Sequence, residues 1–512
     1  MYWIKYLYKV NYSNIKDVKF MNTNDYSNIK LVNSLNENVI LIKNIFSNDT
    51  TLIFRELSLG KLANTKCMLI YIDGMANKPT INENIIKPIL ISEISDINSN
   101  IMDVLMQKVL LTGDNQKTSI LDEIVNGIIY GKSMLFIDGF AEAICINTIG
   151  WETRSISEPQ SETIVRGPRE GFTESMNLNL SLIRRRVINP NLKFEFMRIG
   201  KQTKTQICVC YIKGIAQEPI HEELMTRLNN IDIDGILDSG YIEELIKDAP
   251  YSPFRTIINT ERPDVVVGKL LEGRFAVICD GSPVVLTLPT IFIEAFQSNE
   301  DYYDNFLFSS FVRLLRWLCF FIGTSISAIY VALVTFHQEL IPTPLLISIY
   351  SARKGAPFPS IVETMVMMIV FEILKEAGLR MPKYIGGAIT IVGTLVLGDA
   401  AVNASLVSAP VVIITAITGI ASLMLPQILG IVEIRIIFLL LSSFLGLYGY
   451  IFGVMGLVLH MMSIRSFGIP YMLNVPSFST QDIKDTIIRA PWWDMYLRPK
   501  MFSKNKKRMK KR

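Results

Sequence analysis

The nonapeptide YIDGMANKP at residues 71–79 returns as YIKGIAQEP at residues 211–219, and this recurrence decides how the soluble part of the chain is read. Two further blocks keep the same order. LIFRELSLGK at 52–61 aligns with LKFEFMRIGK at 192–201 at the same offset of 140, and GKSMLFIDG at 131–139 aligns with GRFAVICDG at 273–281 at an offset of 142. Three blocks in one order at nearly one offset mark a duplication of one module, at about 52–147 and 192–287. Each copy reads as mixed α and β. Residues 68–72 and 207–212 are β-branched runs that end at a glycine, as strands do, and a proline then introduces a helical stretch from about Ile81 or Ile220. Asp138-Gly139, repeated as Asp280-Gly281, spells a two-residue hairpin turn between short apolar runs. The aspartate there is a turn device and not half of a catalytic pair.

Between the copies lies ISEPQSETIVRGPREGFTES, residues 156–175. Glu158, Glu162, Arg166, Arg169, Glu170 and Glu174 crowd around Gly167-Pro168, which breaks secondary structure. On composition alone such a run is a solvated, salt-bridged loop. Thr173 is placed to cap a helix over 174–187, whose last turn carries Arg184, Arg185 and Arg186, where cations suit the helix dipole.

Half of the 512 residues are hydrophobic and the mean hydropathy is positive, at +0.32. The long uncharged runs come late. Residues 317–336 carry no charge for twenty residues, enough to span about 30 Å of hydrocarbon, and Arg313 and Arg316 precede them on what reads as the cytoplasmic side. Three more apolar runs follow, at 385–402, 406–429 and 436–462. Between the first span and these lies a broken region holding Pro357 and Pro359, then a helix carrying Glu363 and Glu372. Broken backbone at membrane depth is tolerated where it lines a cavity, so this region is the candidate pore or gate. Glu372 has Lys375 three residues on; Glu363 has no such neighbour and is the stronger gate candidate, while Asp399, near the end of the run 385–402, reads either as a second intramembrane carboxylate or as a residue at the interface. Gly446, Gly449, Gly453 and Gly456, spaced three, four and three, read as one close-packing helix face.

The net charge of +4 is small and gives no reason to expect nucleic acid as a partner. Six scattered cysteines and three separated histidines form no metal cluster, and no nucleophile–base set stands out, so neither a cofactor nor an enzyme is expected. The opening residues have no secretory h-region. The ending KNKKRMKKR, 504–512, favours the cytoplasmic side and anionic lipid. With both ends inside, the number of spans is even; four clean spans satisfy this, and the proline-broken region leaves the count open.

The run S-E-P-x-x-E-x-x-V-R-G-P-R-E-G-F-x-E at 157–174 resembles the signature of the spore germinant receptor A-subunit family. NPxL at 189–192, YIxGIA at 211–216, the apolar segment from Trp317 and PFP at 357–359 extend the similarity over about 52–496. The resemblance implies a membrane subunit of a nutrient-sensing receptor in the inner membrane of bacterial spores. It implies a transporter-like B subunit and a lipoprotein C subunit as partners, and assembly with further copies into a nutrient-gated ion channel. On that reading the charged run Glu158–Glu174 lies at contacts between modules or subunits. A stand-alone permease would show inverted repeats in its membrane segments, and none is found; a scaffold merely anchored by its spans would have no need of Glu363 or Asp399.

The expected architecture is therefore a tandemly duplicated α/β module (α+β mixed) followed by a polytopic all-α transmembrane domain. The divisions are a variable, disordered arm at 1–45, modules at 46–150 and 192–300, a charged linker at 151–191, the membrane domain at 301–470 and a basic tail at 471–512. The soluble region is expected on the cytoplasmic side, which in a spore is the core.

Overall fold

The structure, a computed structural model, describes residues 26, 29–59, 65–92, 101–150, 159, 162, 164–380, 398–425, 430–472, 485–499, 501–503 and 507–508. The described chain forms two compact units. One comprises 1–156, 172–197 and 208–213, and the other 157–171, 198–207 and 214–512. The division passes through one β-hairpin, which contributes residues to both.

The first five strands are β1 (Leu52–Leu59), β2 (Thr65–Ile72), β3 (Asn115–Thr118), β4 (Ser133–Ile137) and β5 (Ala143–Ile146), in the order β1-β2-β4-β5-β3. Every ladder is antiparallel. The next five, β6 (Leu192–Ile199), β7 (Thr205–Ile212), β8 (Ile258–Thr260), β9 (Phe275–Cys279) and β10 (Val285–Leu288), repeat that order as β6-β7-β9-β10-β8. The first and last residues of β1, β2, β4 and β5 recur at the offsets of 140 and 142 read from the sequence. The turn glycines recur too: Gly74 and Gly214 have φ of 80° and 85°, which a side chain would strain. The turn at Asp138-Gly139 is longer than expected. Phe136 pairs with Ala143, so six residues separate the last paired positions. Asp138 and Gly139 are held outward, donating their N–H groups to Lys66 O and Asn33 O at 3.0 and 2.9 Å.

Helices flank each sheet: α1 (Leu35–Ile45), the stretches 78–91 (α2) and 101–109 (α3), and α4 (Leu121–Ile129) around the first; α5 (Met176–Arg186), α6 (Glu218–Asn229), α7 (Ser239–Ile246) and α8 (Pro263–Glu272) in the second part. Residues 35–45, expected within a disordered arm, form α1. Ser34 caps it, and Leu35, Val39, Ile42 and Ile45 at helical spacing bury their side chains in the core. Asn38 accepts from Val32 N at 3.1 Å and donates to Val32 O at 2.6 Å. Asn179 of α5 does the same to Thr173, at 2.8 and 2.6 Å. The duplicated unit thus begins at these helices. Thr173 accordingly does not cap α5, which starts after Ser175 and leaves Glu174 exposed ahead of it.

In the first unit Arg184 is 1% exposed, pairs with Asp49 at 2.6 Å and stacks 4.6 Å over Phe194. Lys193, fully buried nearby, donates to Ile45 O at 3.2 Å. Burial pushes the Lys193 ammonium down from 10.5 to about 8, although Asp49 pulls the other way. Below pH about 8 the charged form carries that burial cost; from there to 10.5 the unfolded chain holds a proton the folded one has lost, so stability rises with pH. Chemical denaturation at pH 7.5 and 9.5 is expected to show a gain of about 1–2 kcal/mol that Lys193→Met abolishes.

The helical part of the second unit contains α9 (Phe306–Phe336), α10 (Thr343–Arg353), α11 (Ser360–Arg380), α12 (Ala409–Leu423) and α13 (Ile431–Ser463). Two of these, α9 and α13, are long and apolar enough to cross a membrane, with mean hydropathy 2.0 each. The first contains the expected span 317–336. The second is not the single span expected over 436–462. Its helical geometry breaks at Gly446, with φ 60° and ψ −143°. Beyond it the chain runs back along itself: Phe438 and Tyr450 rings are 5.6 Å apart, and a Cβ on Gly453 would lie 3.0 Å from Phe438. In a straight helix residues 438 and 453 would stand about 22 Å apart. α13 is a hairpin of two arms, 431–445 and 447–463. Both ends of it lie at the same place on the soluble part: Pro253 packs on Gly430, and Ser252 hydrogen-bonds His460 at 3.0 Å. Its tip, Gly446, meets Phe336 and His337 at the far end of α9.

Of the other expected spans, 406–429 contains the fifteen-residue α12, about 22 Å long and short of a full crossing. The run 385–402 lies mostly outside the described residues. Phe308 and Phe321 of α9 and Phe444, Tyr448, Phe452 and Leu459 of α13 are all exposed.

Candidate functional site: a charged junction and a buried carboxylate

The charged segment between the modules reaches the junction from which α9 departs. Glu162 accepts from the Thr260 hydroxyl at 2.6 Å, at the end of edge strand β8. Burial raises the Glu162 carboxyl above its ordinary range, though the Thr260 hydroxyl and Arg262 work against it. The backbone N–H groups of Val165 and Arg166 donate to Glu300 Oε1 at 3.1 and 3.3 Å, and the Arg166 guanidinium reaches Asp304 at 3.3 Å. Gly167, at φ 138°, lets the segment lie flat on the Tyr303 ring, which a Cβ would overlap at 2.7 Å. Arg262 donates to Pro168 O at 3.4 Å and to both oxygens of Asp264, at 3.1 and 2.7 Å. Asp264 also accepts from Tyr303 Oη at 2.7 Å. Burial would raise its carboxyl, but the hydrogen bonds from Arg262 and Tyr303 outweigh that and hold it below the ordinary range. Arg169 is exposed, Glu170 half-buried and Glu174 exposed, while Glu158 lies outside the described residues. Arg262→Ala removes the clamp on Pro168 and leaves Asp264 short of its cation. Trypsin cleavage after Arg166 is expected to accelerate about tenfold, because a segment with fewer anchors opens more often; unchanged cleavage would mean that the clamp does not hold the segment.

Immediately below, α9 carries two arginines turned inward. Arg313 is fully buried, with Nε 3.2 Å from Asp301 and Nη1 2.8 Å from Asp485. Arg316 meets Asp301 at 2.8 Å and donates to Phe296 O at 3.0 Å. Tyr302 Oη donates to Asp485 at 2.5 Å, so residues before α9 and after α13 share one knot. Glu294, buried beside it, pairs with Lys269 at 2.6 Å and with Arg274. Burial would raise the Glu294 carboxyl, but these two cations outweigh it and keep it low. Trp317 stacks on Phe296 with centroids 3.8 Å apart, fixing the helix against the soluble part where its apolar stretch begins.

At the opposite end of the helices Glu363, in the first turn of α11, is fully buried. Its Oε2 accepts from Ser408 N at 3.1 Å and Ser408 Oγ at 2.7 Å, at the start of α12. Arg353, at the end of α10, approaches Oε1 at 3.7 Å, a partner ten residues upstream that spacing along one helix does not reveal. Pro359 supplies the carbonyl that accepts from Glu363 N at 3.1 Å; Pro357 is exposed in the loop before it. Asp399 is exposed on the helical turn 398–403 and takes no part in the hydrogen bonds to Glu363. Glu372 pairs with Lys375 at 3.2 Å. Of the four glycines, Gly446 turns the hairpin, Gly449 and Gly453 are buried between its arms, and Gly456 is exposed with nothing among the described residues within 4 Å of an added Cβ.

Arg435, which the sequence reading leaves just outside its last span, is 1% exposed. It donates to Gly323 O of α9 at 2.5 Å and to Thr418 O of α12 at 3.3 Å, tying three helices together. The sequence shows it only as a charge at the edge of the apolar run 436–462; the fold turns it inward.

The chain matches the profile of the Bacillus/Clostridium GerA spore germination protein family over residues 41–501. It is 44% identical over 474 residues to spore germination protein KA of Bacillus subtilis, covering 92% of this chain and 87% of that one. It is 37% identical over 447 residues to spore germination protein GerLA of Bacillus cereus, covering 87% and 90%. The crystal structure of the N-terminal domain of the A subunit of the Bacillus megaterium spore germinant receptor GerK3 is 32% identical, with a TM-score of 0.41, covering 52% of this chain and 98% of that one. The family resemblance read from 157–174 is borne out over nearly the whole length: this chain belongs to the GerA family of spore germination proteins.

Proposed function

We propose that this chain is a membrane subunit of a nutrient-sensing spore germinant receptor, and that copies of it assemble into an ion channel that opens when nutrient is sensed. The observation that carries the reading is the hydrogen-bonded path from the charged segment to the residues just before α9. Pro168 is clamped by Arg262, Arg262 by Asp264, and Asp264 by Tyr303, three residues before α9 starts. A shift of the soluble modules, or of a neighbouring subunit holding Glu170 and Glu174, would be delivered to the Arg313 knot and along α9.

At the far end Glu363 is a latch and not yet a pore wall. Its carboxylate joins α11 to the start of α12, and releasing Ser408 would free both. Asp399, exposed beside the same end, and the exposed Pro357 and Pro359 are the candidates to face a conduit, and the exposed Gly456 to face a neighbouring helix. A transporter-like B subunit and a lipoprotein C subunit are the expected partners, with anionic lipid against the tail. The basic tail supports a reading with the modules on the core side of the spore inner membrane.

Deleting the chain from the spore-former that carries it, then restoring it, tests this. Nutrient-triggered release of monovalent cations is expected to vanish and return. Cation release that persists without the chain, or nutrient uptake by the chain alone, would favour a permease or a scaffold.

A further inference from the structure

In the first module the stretch just beyond β5 closes the fold. Ile149 forms an antiparallel bridge with Ala76, Asn77 N donates to Thr148 O at 2.8 Å, and Gly150 N donates to Met75 O at 3.1 Å. Thr148 Oγ1 also donates to Gly131 O at 3.1 Å. These residues fill a groove between the turn after β2 and the turn before β4.

The equivalent groove of the second module is made by Ile215, Ala216, Gln217 and Gly273. The chain beyond β10 does not enter it. That chain leads into the 3-10 turns Phe292–Phe296 and Asn299–Tyr302 and on to α9, with Thr290 N donating to Ser466 Oγ at 3.1 Å. The groove is filled from the other end of the sequence. Ser503 forms the antiparallel bridge with Ala216, and Gln217 Nε2 donates to Met501 O at 2.8 Å. The carbonyl of Phe502 lies so close to Gly273 that a Cβ there would be 2.6 Å from it. The Phe502 side chain, 1% exposed, sits 4.0 Å under the Arg274 guanidinium, and Arg498 donates to Leu271 O at 2.7 Å.

We propose that this groove is a peptide-binding site for an extended segment with an aromatic anchor, and that its resident ligand is the chain's own residues 501–503. They return after the membrane helices to do for the second module what residues 148–150 do for the first. Backbone pairing supplies affinity and the buried ring under Arg274 supplies selectivity. The module then holds both ends of the membrane part, α9 at its start and the tail at its finish. Release of the tail loosens one grip without breaking the chain, which makes the groove a control point.

Cysteines at Ala216 and Ser503 test the pairing in the full chain in membranes, since bridged Cβ atoms lie within disulfide reach. Mild oxidation is expected to give an intramolecular crosslink, absent from either single variant and about tenfold slower with Phe502→Ala. A crosslinked dimer would overturn the assignment by showing that a second copy donates the tail, and no crosslink in a folded chain would overturn it outright. As a second measurement, a fluorescent peptide of residues 495–508 is added to the chain truncated after Asp494. Saturable binding, at least tenfold weaker for the Phe502→Ala peptide, is expected. A truncated chain that melts like the parent yet binds neither peptide, or both equally, would refute the site.

Discussion

Arg313→Ala is expected to destabilise the second unit by about 3–5 kcal/mol, the cost of removing one partner from a buried ionic cluster. The arginine is 0% exposed and holds Asp301 at 3.2 Å and Asp485 at 2.8 Å, with Asp485 O also at 2.8 Å. Alanine leaves Asp301 with Arg316 and the Ser298 N–H, and leaves Asp485 with hydrogen bonds from Tyr302 and Ala490 but no cation among the described residues. Lysine keeps the charge but has no planar fork to serve two carboxylates from one side chain, so Arg313→Lys is expected to fall between. Thermal melting in detergent reads both. An Arg313→Ala melting point within a degree or two of the parent would mean that the knot is not what fixes α9 to the soluble part.

Gly449→Leu is expected to be as damaging for a different reason. A Cβ there would overlap the Leu441 carbonyl oxygen of the facing arm, and backbone cannot move aside as a flexible side-chain end can. The arms of α13 would have to separate, exposing Phe438 and breaking the seat of Arg435 between Gly323 and Thr418. Overpacking against backbone exceeds the usual 1–3 kcal/mol for a tight core, so most of the chain is expected to fail to accumulate in the membrane. Gly456→Leu is the matched control. Nothing among the described residues stands within 4 Å of its Cβ, so the isolated chain should tolerate it, with any defect confined to assembly. Equal loss from both substitutions would contradict the hairpin.

The duplicated module was legible because its signals are local. Turn glycines, β-branched runs and their spacing recur within a few residues of one another, and strand ends follow at the same offsets. The hairpin was not. Hydropathy averages over a window and carries no sign of direction, so 436–462 reads as one span whether the chain continues or doubles back. Spacing of three, four and three among the glycines is meaningful only along a continuous helix, and Gly446 interrupts it. The partners of Glu363 were hidden for a related reason. A search within one helical turn finds none, whereas folding brings Arg353 from ten residues before and Ser408 from forty-five residues after. Arg313 and Arg316 were visible as the basic flank of a span, but their carboxylates come from a 3-10 turn and from the chain beyond the last helix.

The measurement closest to the central claim is cation conductance across proteoliposomes holding this chain with the B and C subunits proposed as its partners, before and after nutrient is added, for the parent and for Glu363→Gln. Glutamine keeps the size of the side chain but gives up the carboxylate that Ser408 holds from both its N–H and its hydroxyl. The parent is expected to conduct only with nutrient, and the glutamine variant to conduct without it. An inserted, assembled complex that stays silent with nutrient, in the parent and the variant alike, would contradict the channel.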